Sequence, residues 1–185
     1  MGNLLGDFAK GVDLQRLPDA VVAGLKNHRA VDRFTDAHPL MQEMKSLFSP
    51  HRRRFAGIAL DVYCDHLLMQ FWSQFETRLL ADVIDAFYTR MDSAQTLMPN
   101  DKMRSVTARM VRYDWFGSYR ELDAVGAALD NIARRIRYPN QFGGAMEDII
   151  AHREQLEQGF LEFFPQLIAH VRVLKLEAYP NSEPG

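Results

Sequence analysis

Cysteine, long apolar runs and net charge are what this sequence has least of, and each scarcity excludes a class of protein. The 185 residues include one cysteine, Cys64, so no disulfide can form within the chain and a Cys-rich zinc module is excluded. Cys64 lies among apolar residues and is expected to be a small core residue. No apolar run reaches the roughly 18 to 20 residues needed to cross a bilayer, and the N-terminus lacks a signal-peptide pattern. We therefore expect a cytoplasmic protein with no membrane contact.

The charge balance gives no global reason to expect a polyanionic partner. The 22 Lys and Arg residues against 24 Asp and Glu leave a formal charge of -2, so we predict no nucleic-acid partner. The length and the 47% hydrophobic content suit one compact domain with a real core. We place that domain at residues 1–178 and predict a flexible tail at 179–185, which has two prolines and no apolar periodicity. The sequence does not indicate an oligomeric state.

Several familiar catalytic signatures are missing. The chain has no Gly-x-x-x-x-Gly-Lys loop for nucleotide phosphates, no Gly-x-Ser-x-Gly elbow and no His-Glu-x-x-His zinc helix. Cys64 is followed directly by Asp65, and a neighbouring negative charge disfavours the thiolate that nucleophilic catalysis needs.

Apolar residues recur every three or four positions along nearly the whole chain, and hardly any segment alternates as a half-buried strand does. The predicted fold class is therefore all-α, a single-domain helical bundle. Pro18 and Pro39 are each well placed to open a helix, and Pro39 also ends the preceding one. The predicted helices span about 3–12, 18–38, 39–48, 54–75, 78–99, 101–113, 119–135 and 144–177. Whether residues 54–99 form one helix or two stays open.

The most informative segment is Ile58 to Gln74, IALDVYCDHLLMQFWSQ, which resembles a buried helix except for Asp61, Asp65 and His66. Burying an isolated carboxylate is costly, so three ionisable groups among apolar residues suggest a shared partner, most simply a divalent metal. Asp61 and Asp65 lie one helical turn apart on one face, whereas Asp65 and His66 lie about 100° apart around the helix.

A second polar set occurs upstream, where His28, Asp32 and Asp36 recur every four residues along one side of a helix. Two such helices packed face to face can hold a metal that polarises a phosphate and lowers the pKa of a bound water. The first candidates are His28, Asp32, Asp61, Asp65 and His66. The alternative interpretation is that these residues are caps, surface charges or satisfied polar groups.

Basic residues cluster in three places: 51–54, the set Lys102, Arg104, Arg109 and Arg112, and 134–137. Such runs are usually solvated helix faces, although they can also dock an acidic protein or clamp a phosphate. Arg52, Arg53 and Arg54 stand out because this run leads directly into the helix that carries Asp61 and Asp65.

Four segments in the same order resemble the acyl-carrier-protein phosphodiesterase family, also called acyl-carrier-protein hydrolases. They are GNLLGDFAKG at 2–11, VVAGLKNHRAVDRFTDAHP at 21–39, IALDVYCDHLLMQFWSQF at 58–75 and MVRYDWF at 110–116. The resemblance implies an all-helical, HD-domain-like phosphohydrolase that uses a divalent metal, with manganese favoured. The implied reaction is hydrolysis of the phosphodiester joining 4'-phosphopantetheine to a serine of holo-acyl carrier protein.

The resemblance also implies roles for individual residues. Asp61, Asp65 and His66 are the expected catalytic residues, and His28 and Asp32 join Asp65 and His66 as expected metal ligands. Two further carboxylates, Asp7 and Asp36, are second-tier candidates. Which carboxylate binds metal and which acts as a base stays open. Since acyl carrier proteins are strongly acidic, Arg52, Arg53 and Arg54 are the expected substrate-binding surface, and their contribution should weaken with salt.

One departure from the family pattern concerns the N-terminus. Family members usually have a short histidine-containing segment before the GNLL motif, whereas this sequence starts at Met1-Gly2-Asn3. If that histidine is a ligand, the metal site formed by these residues is incomplete; otherwise the segment is dispensable.

Two other functions stay open at this point. The same metal site could serve an HD-like hydrolase of a nucleotide or another small phosphoester. Alternatively, the chain could be a non-catalytic helical module that binds acyl carrier protein, which would have no need of a stoichiometric metal ion.

Overall fold

The computed structural model describes residues 1–177, which form α-helices and short 3-10 turns with no β-strand among them. The α-helices are α1 (Gly2–Leu5), α2 (Asp19–Ala37), α3 (Pro39–Ser46), α4 (Ala56–Gln70), α5 (Leu80–Ser93), α6 (Asp101–Arg112), α7 (Trp115–Ser118), α8 (Leu122–Arg135), α9 (Met146–Ala151) and α10 (Arg153–Leu174). The predicted all-α fold is confirmed. Within the described part of the chain, none of the helices has the length and apolar character to cross a membrane. The predicted tail at 179–185 lies outside the described residues, and the domain boundary at 178 stays a prediction.

The larger hydrophobic core surrounds α4. Leu60, Tyr63 and Leu67 of this helix are each at most 1% exposed. They pack with buried residues of α3, α8, α9 and α10, including Met44, Leu129, Ile149 and Phe160. Burying one such side chain contributes roughly 1.5 to 3 kcal/mol. Because α4 packs against several other helices, its charged residues differ in exposure: Asp65 is half-buried, whereas Asp61 is exposed.

A second, smaller core joins the N-terminal segment to α5 and α6. Leu5 of α1 and Leu25 of α2 pack with three buried methionines, Met91, Met98 and Met103. The C-terminal half of α2 belongs to the other side of the molecule, where Phe34 stacks on His170 of α10 with ring centroids 4.3 Å apart. Helix α2 therefore contacts both cores, and Asp32 and Asp36 in its second half are exposed.

Helix α1 packs against α2 at backbone distance because glycines face each other. A Cβ atom on Gly2 would lie 2.4 Å from the carbonyl oxygen of Val21, and one on Gly24 would lie 2.9 Å from the backbone nitrogen of Asn3. The buried Asn27 amide donates a hydrogen bond of 3.0 Å to the Asn3 side-chain oxygen. These contacts fix the position of the 3-10 turn Gly6–Phe8 that follows α1.

The structure resolves one open boundary and corrects another. Residues 54–99 contain two long helices, α4 and α5, separated by a loop. The single helix predicted over 144–177 is wrong, since the chain breaks at His152, whose φ of -119° and ψ of 24° are not helical. The apolar periodicity of the sequence hides this break. Ile149 lies before it and Leu156 after it, and these two buried residues are seven positions apart, as in a continuous helix. Helix α7 was also not predicted.

The substitution Gly24→Ala tests the close approach of α1 and α2. Alanine normally stabilises a helix interior relative to glycine by up to about 1 kcal/mol. At position 24 the added methyl meets backbone atoms, so we expect a net loss of roughly 1 to 3 kcal/mol from overpacking. Urea denaturation measures the change. Gly57→Ala is the matched control, because its Cβ would meet only the Lys45 side chain at an ordinary 3.6 Å; equal stability of the two variants would contradict the prediction.

Candidate active site

The polar row of α2 begins with a contact between His28 and Asp32. The His28 Nε2 atom lies 3.1 Å from an Asp32 carboxylate oxygen, one helical turn further on. The imidazole occupies space that a side chain on Gly6 would fill, since a Cβ atom there would lie 2.0 Å from the ring. The His28 ring can pack against the GNLLGD segment because Gly6 has no side chain. Asp7, the residue after Gly6, is therefore close to the same region.

Helix α4 brings two carboxylates, Asp61 and Asp65, towards the same region. Loss of hydration within the surrounding protein raises the pKa of Asp61 to about 6, and repulsion from Asp36, Asp32 and Asp7 adds to this effect. The Asp61 side chain keeps contact with solvent, which weakens both influences. Burial raises the pKa of Asp65 to about 7, with a smaller contribution from Asp61.

These electrostatic influences show which predicted residues the fold brings together. The carboxylates of Asp7, Asp32 and Asp36 are each close enough to Asp61 to act on it, although they come from α2 and the turn after α1. His28 joins this group through its contact with Asp32. The two polar rows therefore lie in one region, where α3 packs against both α2 and α4, and their predicted direct face-to-face contact stays a prediction.

Lys45 of α3 is part of this region, and sequence reasoning missed it. Its ammonium lies 3.1 Å from the Asp36 carboxylate, and its positive charge opposes the rise in the pKa of Asp61. The lysine side chain passes Gly57, one turn before Asp61 on α4, and only 21% of it is exposed. An isolated lysine after Pro39 carries no spacing signal, because its position depends on how α3 packs against α4.

His66 lies on a different part of the α4 surface. The imidazole is 4% exposed, its Nδ1 atom is 2.7 Å from the backbone carbonyl oxygen of Tyr119, and it stacks on Tyr63. No contact in the described residues joins it to His28 or Asp32. The adjacent Asp65 lies between these two groups of residues. Its charge adds to the effect of burial in raising the pKa of Tyr119, and its own pKa is raised in part by Asp61.

The three arginines before α4 each have partners within the protein. Arg52 pairs with Glu147 at 2.9 Å and with Asp148 at 3.6 Å, and only 11% of its side chain is exposed. Arg53 donates to the carbonyl oxygens of Ser46 and Phe48 at the end of α3. Arg54 lies over the rings of Phe55 and Tyr138. The run is tied to neighbouring segments by these contacts, and its predicted role in substrate binding stays a prediction.

The donor chemistry of the cluster suits a divalent cation. Carboxylates and one imidazole are ligands that manganese and similar ions accept, and bringing several carboxylates together raises their repulsion unless a cation is shared. Among residues 1–177, however, no three His, Cys, Asp or Glu side chains are arranged as a metal-binding group.

An all-α protein with carboxylates, an imidazole and a lysine gathered from three helices is a credible scaffold for phosphoester hydrolysis. The sequence profile of the family "Acyl carrier protein phosphodiesterase" matches residues 1–167, and the chain belongs to this family. No solved structure matches the chain, so the predicted HD-like arrangement stays a prediction.

Curated relatives carry the same family name. The chain is similar to the acyl carrier protein phosphodiesterase of Enterobacter sp. strain 638, with 30% identity over 92% of this chain and 89% of the relative. Proteins of that name from Escherichia coli O6:H1 and O139:H28 are 31% and 32% identical, over 90% and 91% of this chain and 86% and 87% of each relative.

The raised pKa of Asp65 predicts that this carboxylate destabilises the folded, metal-free protein above neutral pH. A folded-state pKa of about 7 against an ordinary value of 3.8 means that ionisation is disfavoured in the folded state, so stability is lost as pH rises through that window. Asp65→Asn removes the charge. We expect the variant to be more stable than the parent by roughly 1 to 3 kcal/mol at about pH 8.

Denaturant unfolding in the presence of a chelator measures this difference. The gain should disappear at about pH 3, where the carboxyl is largely protonated in both states. Asp85→Asn on the exposed face of α5 is the control and should change stability little at either pH. A stability gain for Asp65→Asn that is the same at both pH values would contradict the electrostatic cause.

Proposed function

We propose that this protein hydrolyses the phosphodiester that joins 4'-phosphopantetheine to a serine of holo-acyl carrier protein. A water oxygen forms a bond to phosphorus, the bond from phosphorus to the serine oxygen breaks, and that oxygen takes up a proton. The products are 4'-phosphopantetheine and the apo protein. The convergence of the His28–Asp32 pair, Asp61 and Lys45 at one place carries the proposal, together with membership of the family.

Asp61 and Asp65 suit the proton transfers of this reaction. Groups whose pKa lies near the working pH are efficient proton acceptors and donors, and these two pKa values are raised to about 6 and about 7. One carboxylate can accept a proton from the attacking water while the neighbouring protonated carboxyl supplies one to the leaving serine oxygen.

We propose that His28 and Asp32 form the centre of the set that holds a divalent metal, with Mn²⁺ as the expected ion. Asp7 and Asp61 are the nearest additional carboxylates, and Asp65 follows on α4. His66, also a predicted ligand, can contribute only Nε2, because Nδ1 faces the Tyr119 carbonyl oxygen. The ion would polarise the phosphate and lower the pKa of a water molecule.

Intact-protein mass spectrometry of holo-acyl carrier protein tests the proposal. Incubation with this protein and Mn²⁺ should remove the phosphopantetheine mass, and a chelator should prevent the loss. His28→Ala and Asp61→Asn should lower the rate by at least about 10²-fold, as expected when a group that acts on the reacting phosphate is removed. Circular dichroism checks that both variants keep their helical content.

The alternatives give different results in this experiment. A hydrolase of small phosphoesters would act on those compounds and leave holo-acyl carrier protein intact. A binding module would retain the carrier without turnover, with or without metal. Full activity of both variants would remove the proposed site from consideration.

Lys45 is proposed to donate to a non-bridging oxygen of the phosphodiester. Lys45→Met removes this donor, and we expect kcat/KM to fall by roughly 10²-fold, whereas Lys45→Arg should recover part of the loss because it keeps a cation. Steady-state kinetics with holo-acyl carrier protein measures both variants. Lys26→Met, an exposed lysine on α2, is the control, and an equal effect of the two methionine variants would exclude a local role for Lys45.

A further inference from the structure

Helix α6 presents a basic face to solvent. Its inner side carries Met103, Thr107 and Met110, which are all at most 9% exposed. Lys102, Arg109 and Tyr113 are exposed on the outer side and lie within about 40° of one another around the helix. Arg112 is exposed beside this line. These four residues, Lys102, Arg109, Arg112 and Tyr113, are called the α6 stripe.

The cations of the α6 stripe are fixed in place but not neutralised. Lys102, Arg109 and Arg112 form no ion pair within residues 1–177, whereas the neighbouring Arg104 pairs with Asp101. Each of the three lies over an aromatic ring instead, with distances to the ring centroids of 5.6 Å for Phe8, 6.0 Å for Trp115 and 5.6 Å for Tyr113, respectively. Such contacts orient a cation without cancelling its charge, so its hydrogen-bond donors stay available.

The α6 stripe starts next to the candidate active site. Asn100, which caps α6, donates a hydrogen bond of 3.0 Å to the backbone carbonyl oxygen of Phe8, and the Lys102 ammonium lies over the Phe8 ring. Phe8 follows Asp7, one of the carboxylates that act on Asp61. From Lys102 to Tyr113 the helix extends roughly 16 Å away from this point.

We propose that the α6 stripe is a docking surface for the acidic face of a folded protein, and that this partner, on the proposed function, is acyl carrier protein. The scissile bond lies where the prosthetic group joins the carrier, so the carrier itself must sit beside the active site. The α6 stripe meets that requirement, because its first residue contacts the turn that bears Asp7. Tyr113, which is 60% exposed, offers an amphipathic contact at the far end of the surface.

The surroundings favour a folded acidic partner over a nucleic acid. An extended polyanion that followed the α6 stripe past Lys102 would next meet the carboxylates of Asp7, Asp32, Asp36 and Asp61, and like charges repel it there. A folded protein with a localised acidic face can contact the cations and present only its phosphodiester to that region.

The α6 stripe also differs from the basic run 52–54 before α4 in the partners of its cations. Arg52 is tied to Glu147 and Asp148, and Arg53 to backbone carbonyls, so their charges are partly used within the protein. The stripe cations have neither kind of partner among the described residues, and in this they differ from Arg52 and Arg53 but resemble Arg54, which lies over two aromatic rings.

Binding of fluorescently labelled apo-acyl carrier protein measures docking without turnover. We expect Lys102→Glu/Arg109→Glu to raise Kd on the order of tenfold or more at low salt, because complementary rim charges become like charges. The difference should shrink as salt screens the surface. The milder pair Lys102→Gln/Arg109→Gln should give a smaller change of the same sign, which keeps the test valid if the double glutamate variant folds poorly.

Arg135→Glu/Arg137→Glu is the matched control, since it makes the same charge change at exposed arginines at the end of α8 and just after it. Unchanged affinity of the α6 variants, or an equal loss in the control, would overturn the docking proposal, as would tighter binding of a single-stranded oligonucleotide. Release of phosphopantetheine in parallel assays tests the catalytic proposal separately. Stripe-dependent binding without release would leave docking standing and reject catalysis, and release without stripe dependence would do the reverse.

Discussion

The placement of carboxylates on a helix enclosed by other helices is the constraint on which the candidate site depends. Asp61 and Asp65 belong to α4, whose Leu60, Tyr63 and Leu67 fill the main core. Surrounding protein disfavours ionisation of both carboxyls, so this arrangement costs stability that the apolar contacts of the same helix must offset. Functional sites commonly reduce stability in this way, because their chemistry requires ionisable groups with shifted pKa values.

The rest of the site is built by close packing around that helix. Gly2 and Gly24 let α1 approach α2, and the absence of a side chain on Gly6 makes room for the His28 ring. Gly57 does the same for the Lys45 side chain against α4. Three glycine contacts therefore determine where an imidazole, a carboxylate row and an ammonium meet. The effect of these glycines is steric: they determine where the charged side chains lie.

The sequence predicted what depends on regular spacing. The four-residue intervals of His28, Asp32 and Asp36, and of Asp61 and Asp65, indicated two polar helix faces, and carboxylates of the first face are close enough to Asp61 to act on its pKa. Lys45 could not be found in this way, because its role follows from packing of α3 against α4. The break at His152 was hidden by uninterrupted burial of Ile149 and Leu156. His66 lies on a different part of the α4 surface from Asp61 and Asp65, because each step of one residue along a helix turns the side-chain direction by about 100°.

The basic runs of this chain show that local sequence does not reveal which cations form ion pairs in the folded protein. Arg52 and its partner Glu147 are 95 residues apart, and no local pattern reveals that pair. The basic residues of α6 are more scattered, yet helical geometry aligns Lys102 with Arg109, and their contacts are aromatic rather than anionic. Electrostatic steering depends on charge that stays uncompensated after folding, since a neutralised pair has a weak field at a distance. The recognition surface of a helical protein is therefore determined by its tertiary ion pairs as much as by its composition.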